Sequence, residues 1–188
     1  MARIALDIDS TLHHYWDVLQ RVVWERYGLA LPYEEQYEWG ITALERDAVI
    51  HCVEETHSDE NIAGAVPYEG AVETVADWHR RGHWIHVTSH RRPASAAATA
   101  GWLGQIGLPF DDLHCSFDKI SRCVELEIDV LVDDSPINIA RARDAGIVPA
   151  TIIHPWNEQL VAQDGVIGAP DWKGLRVKLE PVLERVGV

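Results

Sequence analysis

Downstream of residue 66, short apolar runs alternate with longer stretches in which apolar residues recur every three or four positions. This is the pattern of strands joined by crossover helices in a parallel sheet. It predicts strands at 3–8, 83–88, 112–116, 129–133 and 149–153, and helices at 69–81, 94–106, 119–127 and 136–145, with a last amphipathic helix over 171–187. Local punctuation agrees: Gly82 and Gly146 follow helix ends, and Pro93 and Pro136 sit at helix starts. The expected architecture is α/β, a Rossmann-like parallel sheet flanked by helices, with right-handed crossovers.

Residues 14–66 break that alternation. They are aromatic and acidic, offer no strand, and read as helices near 15–27, 33–38 and 43–56. The expectation is a small helical cap at 14–66, inserted after the first strand of a core formed by 1–13 and 67–188. From there it reaches over the carboxyl ends of the strands, where open α/β sheets bind ligands.

The first strand ends in two acids, Asp7 and Asp9, with Thr11 beyond them. Desolvated carboxylates need a cation or donors. Thr88-Ser89 closes the second strand, Lys119 opens a helix, and Asp133-Asp134 closes the fourth strand. Phosphoryl transfer needs a nucleophile, a divalent cation, donors for the equatorial oxygens and an acid for the leaving oxygen. Asp7 fits the nucleophile, and Asp9 fits an acid that later serves as base. Thr88 and Lys119 complete the catalytic set and also hold the phosphate, with Ser89, His90 and Arg91 as further substrate contacts. Asp7, Asp9, Asp133 and Asp134 are the candidate metal ligands, Asp133 favoured over Asp134 for direct coordination. An all-oxygen set shared with a phosphate suits Mg2+. Taken singly, an Asp-x-Asp loop is usually solvated and a helical Lys usually exposed; their order at successive strand ends makes the constellation.

Charge narrows the substrate. Sixteen basic residues against 30 acidic ones give a formal net charge of -14, a field that repels a polynucleotide but not a small phosphorylated metabolite held by local cations. No apolar run reaches the roughly 20 residues of a membrane span, and Met1 leads directly into a strand, so neither membrane insertion nor export is expected. Three cysteines without CxxC spacing fit a cytoplasmic protein with free thiols. The ten histidines are scattered rather than paired as zinc ligands. A homodimer is compatible with the sequence, which does not specify oligomeric state.

These residues resemble the four motifs of the haloacid dehalogenase-like (HAD) hydrolase superfamily: Asp7-Ile8-Asp9-Ser10-Thr11-Leu12, Thr88, Lys119 and Asp133-Asp134. The resemblance covers nearly the whole chain. It implies a Rossmann-like core with a helical cap between the first two motifs, Mg2+ dependence and an aspartyl-phosphate intermediate. The second acid, Asp9, points to phosphatases rather than dehalogenases. The small cap and Leu131-Val132-Asp133-Asp134-Ser135-Pro136 look most like the 5'(3')-deoxyribonucleotidase group and its bacterial relatives. That implies a 5'-nucleotidase acting on (deoxy)nucleoside monophosphates, with a phosphatase of a sugar phosphate or other small metabolite as the alternative. A difference is the basic corner His90-Arg91-Arg92-Pro93, where the mammalian enzymes carry an apolar turn. Among the cap aromatics Tyr15, Trp16, Trp24, Tyr27, Tyr33, Tyr37 and Trp39, base stacking competes with simple cap packing. A receiver-like domain is disfavoured because its acidic pair would follow the first strand. A non-catalytic phosphate-binding protein would have no use for Asp9.

Overall fold

The computed structural model describes residues 1–162 and 165–186. In chain order the elements are β1 (Arg3–Leu6), α1 (Tyr15–Tyr27), α2 (Arg46–Thr56), α3 (Asp59–Ala63), α4 (Ala71–Arg80), β2 (Trp84–Ser89), α5 (Ala96–Gln105), β3 (Asp112–Cys115), α6 (Lys119–Glu125), β4 (Val130–Val132), α7 (Pro136–Asp144), β5 (Val148–Ile152), α8 (Glu158–Val161), β6 (Ile167–Ala169) and α9 (Trp172–Val186). The strands form one sheet in the order β3-β2-β1-β4-β5-β6, every pair parallel. The order reverses at β1 and β4, and a crevice at such a switch point is where open α/β sheets take ligands.

Alternation along β1 splits the core in two. Ile4, Leu6 and Ile8 face a large cluster with Ile85, Val87, Val130 and Val132, covered by Trp78 of α4, Trp102 of α5 and Trp172 of α9. Ala5 and Leu131 face the other way, against Cys123 of α6 and Ala142 of α7. A third cluster, Trp16, Leu19, Val22, Val23, Leu31 and Cys52, holds the helical segment together and reaches Trp156 beyond β5.

The expected strands and core helices are present, with ends shifted by at most two residues. Besides the one-turn helix α8, three features differ from the sequence reading. Strand β6 is additional; with only three residues, one of them Gly168, it carries no readable alternation. The helix expected at 33–38 is a single 3-10 turn, Tyr33–Glu35, because the Gln36 side-chain amide bonds the carbonyls of Glu38 and Gly40 at 2.6 Å each and wraps the chain out of helical path. Helix α3 is also additional, its N-terminus capped by the Ser58 hydroxyl. Among the described residues no helix is long and apolar enough to cross a membrane. All three cysteines are free and buried.

Candidate active site

Register builds the site. Leu6 pairs with Val87 on one side and Val132 on the other, so the next residues, Thr88, Asp7 and Asp133, lie side by side at the carboxyl ends of β2, β1 and β4. They share the sheet face of Ala5 and Leu131, on which α6 packs. That helix starts at Lys119, whose buried ammonium donates to Asp7 Oδ1 at 2.5 Å and Asp133 Oδ2 at 2.8 Å. The Thr88 hydroxyl is fully buried and has no hydrogen-bond partner, an orphan unless a ligand oxygen meets it.

Carboxylate oxygens of Asp7, Asp133 and Asp134 all lie within 4.8 Å of one another, and all three residues are buried. One ammonium faces three carboxylates. Burial, opposed by Lys119 and reinforced by Asp133, pushes the Asp7 carboxyl up to about 7. Burial together with Asp7 and Asp133 drives the Asp134 carboxyl well above the usual range. Uncompensated negative charge on a set of hard oxygen donors is the chemistry that a small divalent cation satisfies, so the residues fit a metal site.

The two acids of the fourth strand differ in their commitments. Asp133 takes the Lys119 ammonium, the Ser135 backbone N–H at 2.9 Å, and the Asn138 amide at 3.1 Å on each oxygen. Asp134 takes one bond, from the Trp156 indole to Oδ2 at 3.2 Å. Direct coordination was expected of Asp133, but it is Asp134 whose oxygens remain open.

No protein-family model matches the chain. A protein of Chlorobaculum tepidum named "Putative 5'(3')-deoxyribonucleotidase" is 24% identical over 156 residues, 77% of this chain and 75% of that protein. The crystal structure of a HAD family hydrolase from Deinococcus radiodurans, with bound phosphate and sodium, superposes with a TM-score of 0.66 at 17% identity, covering 100% of this chain and 96% of that one. A variant of CbbY from Rhodobacter sphaeroides in complex with xylulose-(1,5)-bisphosphate gives a TM-score of 0.61 at 14% identity, covering 93% and 99%. This is the fold of the HAD hydrolases.

On this HAD core, Asp9 stands outside the acid cluster. Its Oδ1 accepts from Arg91 Nη2 at 2.7 Å and from His13 Nε2 at 2.9 Å; its Oδ2 accepts from His57 Nε2 at 3.1 Å and Arg91 Nε at 3.4 Å. Burial alone would raise the Asp9 carboxyl, but Arg91 and His57 outweigh it and hold it well below the usual range. Four donors thus occupy the two side-chain oxygens of Asp9, so the metal-ligand role expected of it would fall to its main-chain carbonyl. The substrate contact expected of Arg91 falls away. Its guanidinium is 1% exposed and spent on Asp9 and on the Thr99 hydroxyl at 3.2 Å. Ser89 turns to the opposite sheet face from Thr88 and accepts the Arg91 backbone N–H. His90 does reach the cavity.

That cavity, about 250 Å³, has Asp7, Asp9, Lys119, Asp133 and Asp134 at one end and Trp16, Trp39, Ile41, Val53 and Trp156 as apolar wall. The aromatics of the helical segment thus divide. Trp16 and Trp39 line the cavity, as does Tyr15, whose hydroxyl bonds Thr56 at 3.0 Å; Trp24, Tyr27 and Tyr37 are exposed. Sequence reasoning missed His57, Asn138 and Trp156. For Trp156 a signal existed, since Pro155-Trp156-Asn157 follows the fifth strand at the sheet edge where the other site residues gather.

Proposed function

We propose that this chain is a Mg2+-dependent phosphomonoesterase that hydrolyses a small phosphate ester through an aspartyl-phosphate on Asp7. The convergence of Asp7, Lys119, Asp134 and the orphan Thr88 hydroxyl at one sheet edge carries the reading. Asp7 and Asp134 are the direct metal ligands in this proposal, with Asp133 fixing Lys119 and the start of α7. The ion, when bound, neutralises phosphoryl oxygens as charge shifts in the transition state.

The chain's own groups do the rest. Asp7 attacks phosphorus; Lys119 offsets the charge of Asp7 so that the phosphate can approach it; the Thr88 hydroxyl and adjoining backbone N–H groups hold equatorial oxygens. Asp9 protonates the departing oxygen, then takes a proton from the water that cleaves the acyl phosphate. Arg91 and His57 keep Asp9 in the carboxylate form required by the second step; for the first, the proton it passes to the leaving oxygen reaches it from one of the two imidazoles bonded to it, His13 at 2.9 Å or His57 at 3.1 Å, of which His57 lines the cavity.

For the leaving group, the tryptophan walls favour a flat aromatic body, and the Chlorobaculum relative points the same way, so a (deoxy)nucleoside monophosphate is the proposed substrate class. The CbbY complex supports a sugar phosphate as the second reading. A panel of nucleoside, sugar and glycolate monophosphates, assayed with Mg2+ and with EDTA, separates the two. The Asp7→Asn variant should lose all turnover while keeping the fold; near-normal phosphatase rates in it would remove Asp7 as the nucleophile.

A further inference from the structure

His154, two residues beyond β5, lies on none of the segments singled out for chemistry, yet it is buried and bonded at both ring nitrogens. Its Nε2 is 2.7 Å from the Ser10 carbonyl oxygen, and its Nδ1 is 2.7 Å from the Tyr33 hydroxyl. A carbonyl only accepts, so Nε2 carries the proton; Nδ1 of the neutral ring is then the acceptor, and Tyr33 donates. The relay thus runs in one direction, from the helical segment through an imidazole to the turn directly after Asp9.

Ser10 is where such a hold matters. Its φ of 59° is left-handed, a conformation that costs a non-glycine residue about 1 kcal/mol or more and persists only where surroundings impose it. The carbonyl bond from His154 is such an imposition, and the next carbonyl, of Thr11, is held by the Trp172 indole at 2.9 Å. The imidazole also stacks on Trp156, with centroids 4.5 Å apart and planes 6° from parallel, and that same indole bonds Asp134. One ring therefore touches the helical segment, the loop of the two acids and the residue that orients Asp134.

We propose that His154 is a positioning residue: Tyr33 fixes its tautomer, and its Nε2–H fixes the strained Ser10 turn that aims Asp7 and Asp9, so that seating of the helical segment is transmitted to the catalytic loop. The kinetic part of this rests on the phosphatase reading above; the tautomer does not. Burial holds the ring down to about 4, in keeping with a neutral imidazole at physiological pH.

The test uses the full chain, three single variants, one double variant and one spectrum. His154→Leu should lower kcat about tenfold, the rate equivalent of losing about 1.4 kcal/mol of hydrogen bonding, with KM within about twofold. His154→Gln, whose amide can donate to Ser10 and accept from Tyr33, should recover kcat to within about threefold of the parent. Tyr33→Phe should cost about threefold alone and nothing further in the His154→Leu background. A long-range 1H–15N spectrum should show the Nε2–H tautomer of His154. Equal losses in the Gln and Leu variants, a change in KM alone, additive effects of Tyr33 and His154, or an Nδ1–H tautomer would each overturn the proposal. If the parent shows no Mg2+-dependent turnover on any monophosphate, the functional reading fails instead, and the tautomer still decides whether the relay exists.

Discussion

Asp134 offers the sharpest way to separate metal binding from folding. Its carboxylate sits within 4.8 Å of those of Asp7 and Asp133, buried, with a single ammonium among the three. At an effective dielectric of about 20, each like-charge pair at that separation would cost about 3 kcal/mol if fully ionised, the penalty that drives the Asp134 carboxyl towards its protonated form. Asp134→Asn removes both of its repulsions and gives up its attraction to Lys119. It keeps the shape and an oxygen for the Trp156 indole, and it avoids burying one charge. The expected result is a metal-free protein more stable by about 2–3 kcal/mol, a melting temperature higher by about 4–12 °C for a domain of this size. The gain should come with the loss of function. Turnover should fall at least about a hundredfold, and the stabilisation that Mg2+ gives the parent, about 1.4 kcal/mol at ten times its dissociation constant, should vanish. Thermal melts of parent and variant, each with EDTA and with Mg2+, read all of this without a substrate. A variant that is less stable than the parent in EDTA yet still gains stability from Mg2+ would refute the charge argument and return the direct ligand to Asp133.

Stability should also fall in mild acid, and His86 is one source. It is fully buried on β2, with Nδ1 3.1 Å from Asp112 Oδ2 but out of line for a hydrogen bond, and burial lowers its ring from 6.5 to about 4. Because the unfolded chain takes up the proton first, stability is full above pH 6.5 and declines to about pH 4, by about 3 kcal/mol for this group. Urea midpoints across that range should flatten in His86→Leu; an unchanged slope would clear His86. Arg91→Met leaves the partly buried Asp9 carboxylate with only its two histidine partners and should cost about 2–3 kcal/mol, visible as a lower melting temperature. A melt like the parent's would mean that Asp9 is not held by this pair. Trp39→Ala should raise KM for nucleoside monophosphates about fivefold, at about 1 kcal/mol of aromatic contact, and leave KM for glycerol phosphate within about twofold. Equal effects on both substrates would favour the sugar-phosphate reading.

Sequence periodicity located the catalytic edge because a parallel sheet reports its own strand ends. Buried segments such as 4–6 and 130–132 are continuous apolar runs, and the first polar residues after them fall at the carboxyl edge by construction. Asp7, Thr88 and Asp133 were therefore readable as neighbours before any coordinates. The division of labour among the acids was not. Asp9 and Arg91 are 82 residues apart, and no periodicity announces that a side chain from the loop after β2 will occupy a carboxylate from the loop after β1. The difference between Asp133 and Asp134 was partly legible: Asp133-x-Ser135 before Pro136, with Asn138 three residues after Ser135, is a local pattern in which the first acid accepts donors from the start of the helix and the second does not. His154 left no comparable trace, since its meaning depends on a hydroxyl 121 residues away.

The charge distribution bears on how so acidic a protein would handle the phosphate of the proposed substrate. A formal charge of -14 surrounds a site whose three clustered acids are answered by one lysine, while Asp9 and Arg91 cancel each other. An incoming phosphate dianion would meet net negative charge from both the surface and the cavity floor. Nothing among the described side chains at that floor reverses the sign: Lys119 is already bonded to two carboxylates, and Arg91 is turned to Asp9. Under the proposed function, phosphate recognition is therefore conditional on a divalent cation arriving first. The apolar tryptophan wall supplies the part of substrate binding that the charges do not oppose.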